Sequence, residues 1–174
     1  MPRLPVGKRL VVTLLLFAAA ASAAAQRAII LVRHAEKAVD ANEAGVPLSE
    51  AGHARAARLA RMLAGAGITA IYATETDRAR QTAEPLAKAL GLAVRTYSPR
   101  DAAGKLAPRI LIDRLKKDAD AGVVLVVGHQ NTVPEVIGAL GYRGEVEIGD
   151  GDYDDLFVVV PKTGAAPTVI RLKY

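Results

Sequence analysis

The chain reads as one α/β domain: a three-layer sandwich whose mostly parallel central sheet carries helices on both faces and has an antiparallel edge. Three observations predict this. Short apolar, β-branched runs alternate with amphipathic segments from residue 28 to about 140, the pattern of strands joined by crossover helices. Two of these runs, Ala28-Ile29-Ile30-Leu31-Val32 and Val123-Val124-Leu125-Val126-Val127, are apolar throughout, as strands covered on both faces are. After Gly141 the alternation stops, and two strand-like runs follow with only a turn between them.

The first strand ends at Arg33, and a polar loop over 35–47 follows. Ser49 can cap the next helix, with Glu50 in its first turn where negative charge is favoured. Leu59, Met62 and Leu63 form that helix's apolar side, and Gly65-Ala66-Gly67 stops it. Ile68 to Ala73 is a second strand. Thr76 or Asp77 opens a second helix with Ala79, Ala83, Leu86 and Leu90 on one face; Pro85 should kink it, and Gly91 ends it. A third strand over Leu92–Tyr97, a loop over Ser98–Gly104 and a helix over Lys105–Ala119 come next, with Ile110, Leu111 and Leu115 facing in. Gly122 leads into the fourth strand. Thr132-Val133-Pro134-Glu135 has capping-box spacing, with Pro in the tolerated first turn, and Val133, Val136, Ile137 and Leu140 follow at helical spacing. Leu156–Val160 and Thr168–Leu172 are two strands joined by a turn over Pro161–Pro167.

The first 25 residues stand apart from this domain, which is expected to span 26–174. Arg3, Lys8 and Arg9 precede an apolar stretch from Leu10 to Ala21, and small residues follow, with cleavage fitting equally after Ala23 or Ala25. This is the pattern of a cleavable secretory signal, and the stretch is short for a membrane span. A periplasmic or secreted protein with no stable membrane insertion after signal removal is expected. Cysteine is absent, so an exported domain would rest on its core alone, with no thiol for a lipid anchor. The net charge of +5 owes much to the leader. Three of the 23 basic side chains and none of the 18 acidic ones lie in residues 1–25, so the rest carries 20 against 18, or +2. With few aromatics and basic residues spread along helices, no nucleic-acid partner is expected.

Arg33 and His34 sit where the first strand emerges, and His129 follows the fourth strand. Open α/β sheets bind ligands at the carboxyl ends of their strands. A neutral imidazole is a good nucleophile near pH 7 and can hold a phosphoryl group covalently. The transferring group is anionic and needs donors around its oxygens, which the planar fork of Arg33 supplies better than a lysine does. Arg78, in the first turn of the second helix, opens at the same edge, and His129 precedes a helix N-terminus with its free N–H groups.

These segments together resemble the histidine phosphatase superfamily, in its phosphoglycerate-mutase-like branch. Leu31-Val32-Arg33-His34-Ala35-Glu36 is similar to the family's Arg-His-Gly signature, Pro47-Leu48-Ser49-Glu50-Ala51-Gly52 to its Leu-Ser/Thr-x-x-Gly segment, Arg78-Ala79-Arg80-Gln81-Thr82-Ala83 to its Arg-Ala-x-Gln-Thr-Ala element, and Val127-Gly128-His129 to its second histidine. The resemblance implies His34 as the phosphorylated nucleophile, with Arg33, Arg78 and His129 clamping the phosphoryl group, and no metal or organic cofactor. It implies a carboxylate acid after the third strand, where Asp101 lies. Ala35 stands in place of the family's glycine, and Gln130 stands where the acid-phosphatase branch has Asp.

The expectation is an exported, metal-independent phosphatase acting on a phosphorylated small-molecule or glycan substrate through a phosphohistidine, with Lys37 touching substrate. A phosphomutase of the same fold, or a non-catalytic binding module for phosphorylated envelope components, are the alternatives. Zinc is disfavoured, because His53 has no second ligand at i+4. His53 reads as an exposed helix residue, Arg55, Arg58 and Arg61 as a solvated helix face, and Arg80 as structural. Asp150, Asp152, Asp154 and Asp155 read as a hydrated turn, since position six lacks the Gly and position twelve the Glu of a calcium loop.

Overall fold

The computed structural model describes residues 28–39, 44–117 and 122–174. The expected leader over 1–25 and its cleavage lie outside the described residues. Six strands and four helices follow one another as β1 (Ile29–Arg33), α1 (Glu50–Leu63), β2 (Ile68–Thr74), α2 (Asp77–Leu90), β3 (Val94–Tyr97), α3 (Arg109–Lys117), β4 (Val123–Gly128), α4 (Thr132–Ala139), β5 (Asp155–Lys162) and β6 (Ala165–Lys173). They form one sheet in the order β3-β2-β4-β1-β5-β6. The β2–β3, β2–β4 and β1–β4 pairs are parallel, and the β1–β5 and β5–β6 pairs are antiparallel. This is the predicted mostly parallel sheet with an antiparallel edge.

Successive side chains of a strand point to opposite faces, so the continuous apolar runs of β1 and β4 feed two cores. Ile29 and Leu31 of β1, with Val124 and Val126 of β4, pack on Leu111, Leu115, Val133 and Ile137 of α3 and α4. Ile30, Val32, Leu125 and Val127 pack on Leu59, Leu63, Ala83 and Leu86 of α1 and α2. Being central and covered on both sides, β1 and β4 fix the position of whatever follows them.

Several ends differ from expectation, each for a local reason. Met62 is exposed, because the buried face of α1 runs through Gly52, Ala56, Leu59 and Leu63. α2 continues unbroken through Pro85, and Gly91 closes it at φ +66 with its N–H on Ala87 and Lys88. The Leu92 N–H also bonds Ala87, completing that cap, so β3 starts only at Val94. α3 begins at Arg109 rather than Lys105, because Pro108 keeps the residue before it out of the helix; Ala119 lies outside the described residues. The capping box at Thr132 does not form: Asn131 is the N-cap residue, and the Thr132 hydroxyl instead accepts the His129 N–H at 2.7 Å. The β5–β6 turn is tighter than expected, closing at Thr163-Gly164, and Pro167 lies within β6, tolerated on an edge strand. No helix of the described residues is long and apolar enough to cross a membrane.

Candidate active site

Four of the predicted residues meet at the carboxyl edge of the sheet. The His34 N–H bonds the Gly128 carbonyl at 2.9 Å, extending the β1–β4 ladder by one step and fixing its main chain. The His34 ring is 4% exposed, and its Nδ1 lies 2.7 Å from the Ala35 carbonyl oxygen. A carbonyl only accepts, so Nδ1 carries the hydrogen and Nε2 keeps its lone pair. Arg78 donates from Nε to that Nε2 at 3.2 Å. The His129 ring stands edge-on to His34, with centroids 5.1 Å apart, and its Nε2 is 2.8 Å from the Thr74 hydroxyl at the end of β2.

The segment 78–83 holds this arrangement from one helix face. Residues three and four apart lie on the same side of a helix. Arg78 reaches His34, Gln81 accepts the Leu48 N–H at 2.8 Å, and the Thr82 hydroxyl accepts the Ala35 N–H at 2.9 Å while donating to the Arg78 carbonyl. Arg80 turns away and pairs with Asp77, as expected. Ala35 is fully buried, and no non-glycine residue among those described has a positive φ. The backbone here therefore does not require the family's glycine.

Arg33 is also buried, but its guanidinium is anchored to the loop before β5. Nη1 donates to the carbonyls of Gly149 and Asp150, each at 2.8 Å, and the group lies 4.0 Å from the centre of the Tyr153 ring. Its Nε is buried with no hydrogen-bond partner. These residues open onto a cleft of about 1050 Å³ whose walls include Lys37, Glu75, Arg100, Gln130, Asp150 and Tyr153.

Electrostatics keep both imidazoles neutral. Burial lowers His34 to about 4; the Ala35 carbonyl opposes the shift, while Arg78, Arg33 and Lys37 add to it. Burial lowers His129 to about 3, helped by His34, Arg78 and Arg33. A charged imidazole would be poorly solvated and surrounded by like charge.

Asp101 is not brought to the cleft. It is exposed, and its Oδ1 accepts the N–H groups of Ala103 and Lys105, so the carboxylate closes its own turn. Lys37 does line the cleft, half-buried in an isolated bridge with Leu48. Arg55 departs from the expected solvated face: its Nε and Nη2 clasp Glu36, just past His34, at 2.6–2.9 Å. Burial raises the Glu36 carboxyl, but the Arg55 bonds outweigh it and hold it below its ordinary range. Gly52 lets α1 approach this loop, since a Cβ there would lie 2.3 Å from the Glu36 carbonyl oxygen. The expected hydrated turn is partly wrong as well. Asp155 is fully buried and bonded by Arg171 at 2.7 Å through two nitrogens, and Asp152 accepts the Gly149 N–H. Carboxylate oxygens of Asp152, Asp154 and Asp155 approach within 4.8 Å of one another, but Lys173 and Arg171 supply their counter-charge.

Sequence reasoning missed Glu75, Arg100, Gln130, Asp150 and Tyr153 as cleft residues. The position of Glu75 just after β2 was a usable signal. The loop carrying Asp150 and Tyr153 has no such local mark.

Two buried arginines around a neutral, tautomerically fixed imidazole at a sheet edge suit an anionic group such as phosphoryl. Residues 29–99 match the family model for the histidine phosphatase superfamily, branch 1. That match runs from β1 to just past β3 and so includes Arg33, His34 and Arg78. The chain's fold is that of the protein histidine phosphatase SixA complexed with tungstate, with a TM-score of 0.66 at 19% identity over 84% of this chain and 96% of that one. It is similarly close to a phosphoserine phosphatase mutant from Entamoeba histolytica complexed with phosphoserine (TM-score 0.65, 15% identity, 83% and 95% covered). A mycobacterial glucosyl-3-phosphoglycerate phosphatase complexed with VO3 gives 0.62 at 15% identity over 85% and 98%. No curated protein matches the chain in sequence.

Proposed function

We propose that the chain is an exported, metal-independent phosphatase that hydrolyses phosphomonoesters through a phosphohistidine on His34. The observation that carries this reading is the His34 ring itself: neutral, with Nδ1 on the Ala35 carbonyl and Nε2 facing Arg78 at 3.2 Å. The lone pair of Nε2 attacks phosphorus in line and the bond to the leaving oxygen breaks. Arg33, Arg78 and His129 stabilise the charge on the equatorial oxygens. Water then attacks phosphorus from the vacated side, the N–P bond breaks, and its electron pair returns to Nε2. Each step uses only side chains and water. Lys37, on the cleft wall, meets the rest of a phosphorylated small molecule or glycan. The relatives that act on or bind phosphoserine and a phosphorylated glycerate sugar support that substrate class. Residues 1–25 support export to the periplasm or beyond the cell.

The test is turnover of an aryl phosphate by the leader-free chain in excess EDTA, beside His34→Ala. Wild-type turnover with an acid-labile, base-stable phosphoryl label on His34, and neither in the variant, is expected. Equal turnover by the two proteins ends the reading, and dependence on added metal ends its metal-independent part.

A further inference from the structure

The site as described has a nucleophile and a cage of donors but no proton for the leaving oxygen. The carboxylates near it differ in what already holds them. Three carboxylates line the cleft, Glu36, Glu75 and Asp150; Glu36 is clasped by Arg55, and among the described residues the Glu75 carboxylate makes no hydrogen bond. Asp150 is tied to the site at two points. Its main-chain carbonyl accepts from Arg33 Nη1 at 2.8 Å, and its Oδ1 accepts from Gln130 Nε2 at 2.7 Å. Gln130 directly follows His129, and both Gln130 and Asp150 line the cleft. Among the described residues no other group bonds the Asp150 carboxylate.

We infer that Asp150 is the general acid and base of the reaction, a catalytic residue held in place by Gln130 as its positioning residue. The inference rests on the phosphohistidine reading above. In the first step Nε2 of His34 bonds to phosphorus, the P–O bond to the leaving group breaks, and the Asp150 carboxyl gives its proton to the departing oxygen. In the second, the Asp150 carboxylate takes a proton from water as the water oxygen bonds to phosphorus. The N–P bond breaks, inorganic phosphate leaves, and Asp150 is again protonated. The position after the second histidine, filled here by an amide that cannot donate as an acid, thus serves by holding a carboxylate supplied from the loop before β5.

General acid catalysis matters most when the leaving group is poor. The test compares wild type, Asp150→Asn, Gln130→Ala and Glu75→Gln on glycerol 2-phosphate and on 2,4-dinitrophenyl phosphate. Asp150→Asn is isosteric and keeps the main-chain carbonyl that Arg33 uses. It is expected to lose about 10²–10³-fold in kcat/KM on the alkyl ester and under about fivefold on the dinitrophenyl ester. Gln130→Ala should show the same leaving-group selectivity at about 10-fold. Equal losses on both esters overturn the assignment, as does a selective loss in Glu75→Gln in place of Asp150→Asn. A wild-type enzyme inert to alkyl esters overturns it too. If wild type labels His34 while Asp150→Asn behaves as wild type, only the acid is misassigned; if His34 never labels, the underlying reading has failed.

Discussion

The cleft edge of the sheet and the β5–β6 hairpin both bury charge, and they handle it in opposite ways. At the hairpin, Asp155 has no accessible surface and is met by ions: Arg171 through two nitrogens at 2.7 Å and Lys173 at 3.0 Å. Burial raises the Asp155 carboxyl, but its partners outweigh that and hold it below its ordinary range. At the cleft, buried Arg33 is met by neutral groups, the carbonyl oxygens of the loop before β5 and the face of Tyr153. An internal ion pair is complete in the resting protein. A cation solvated by neutral dipoles still gains from an incoming anion, and that gain is available to a phosphoryl group. The difference separates a structural charge from a functional one without reference to any relative.

The comparison can be broken most directly at Arg78. Arg78→Ala should cost about 10²–10³ in kcat, the scale of removing one preorganised donor to a developing anion, while leaving Tm within a few degrees. Steady-state kinetics and thermal unfolding on the same samples check both halves. An Arg78→Ala protein that unfolds instead would make the arginine structural, like Arg171.

A second test uses pH. Unfolded imidazoles take protons near 6.5, whereas folding lowers His34 to about 4 and His129 to about 3. Their stabilising contribution is therefore complete above pH 6.5 and erodes as pH falls toward those values. Between pH 6.5 and 5 each histidine should remove on the order of 2 kcal/mol from the unfolding free energy. Carboxylates stay ionised in both states across most of that window, so Glu36 and Asp155 add little to the slope. Urea unfolding of wild type and His129→Asn at the two pH values measures it. A wild-type stability flat from 6.5 to 5 would mean that the rings are charged in the fold.

The smallest effect is expected at the hairpin. Arg171→Ala leaves Asp155 with Lys173 alone and should cost about 2 kcal/mol, below the figure for a wholly broken buried pair because both cations reach solvent. Its kcat on an aryl phosphate should match wild type. A loss of turnover at unchanged stability would connect the hairpin to the cleft and blur the distinction.

Much of the site is readable from sequence because each main residue is locally anchored. Arg33 and His34 end β1, His129 follows β4, and Arg78, Gln81 and Thr82 share one face at the start of α2. Asp101 misleads for the same local reason that it looks promising. A carboxylate in a loop after a strand can reach a cleft or close a turn, and here the N–H groups of Ala103 and Lys105 are nearer. Arg55 reads as part of a solvated series with Arg58 and Arg61, because a helix period does not reveal that Gly52 lets the Glu36 loop approach one side of α1.

Strand and helix order, the two-sided burial of β1 and β4, and the placement of His34 and His129 at one sheet edge follow from local pattern, because periodicity and strand ends are properties of neighbouring residues. The pairing of Arg33 with the carbonyls of Gly149 and Asp150, the tie from Gln130 to Asp150 and the full burial of Asp155 were decided only by tertiary structure. Each joins residues far apart in the chain or depends on which face of the hairpin turns inward. No window of sequence contains the distances that choose among carboxylates of equal chemistry.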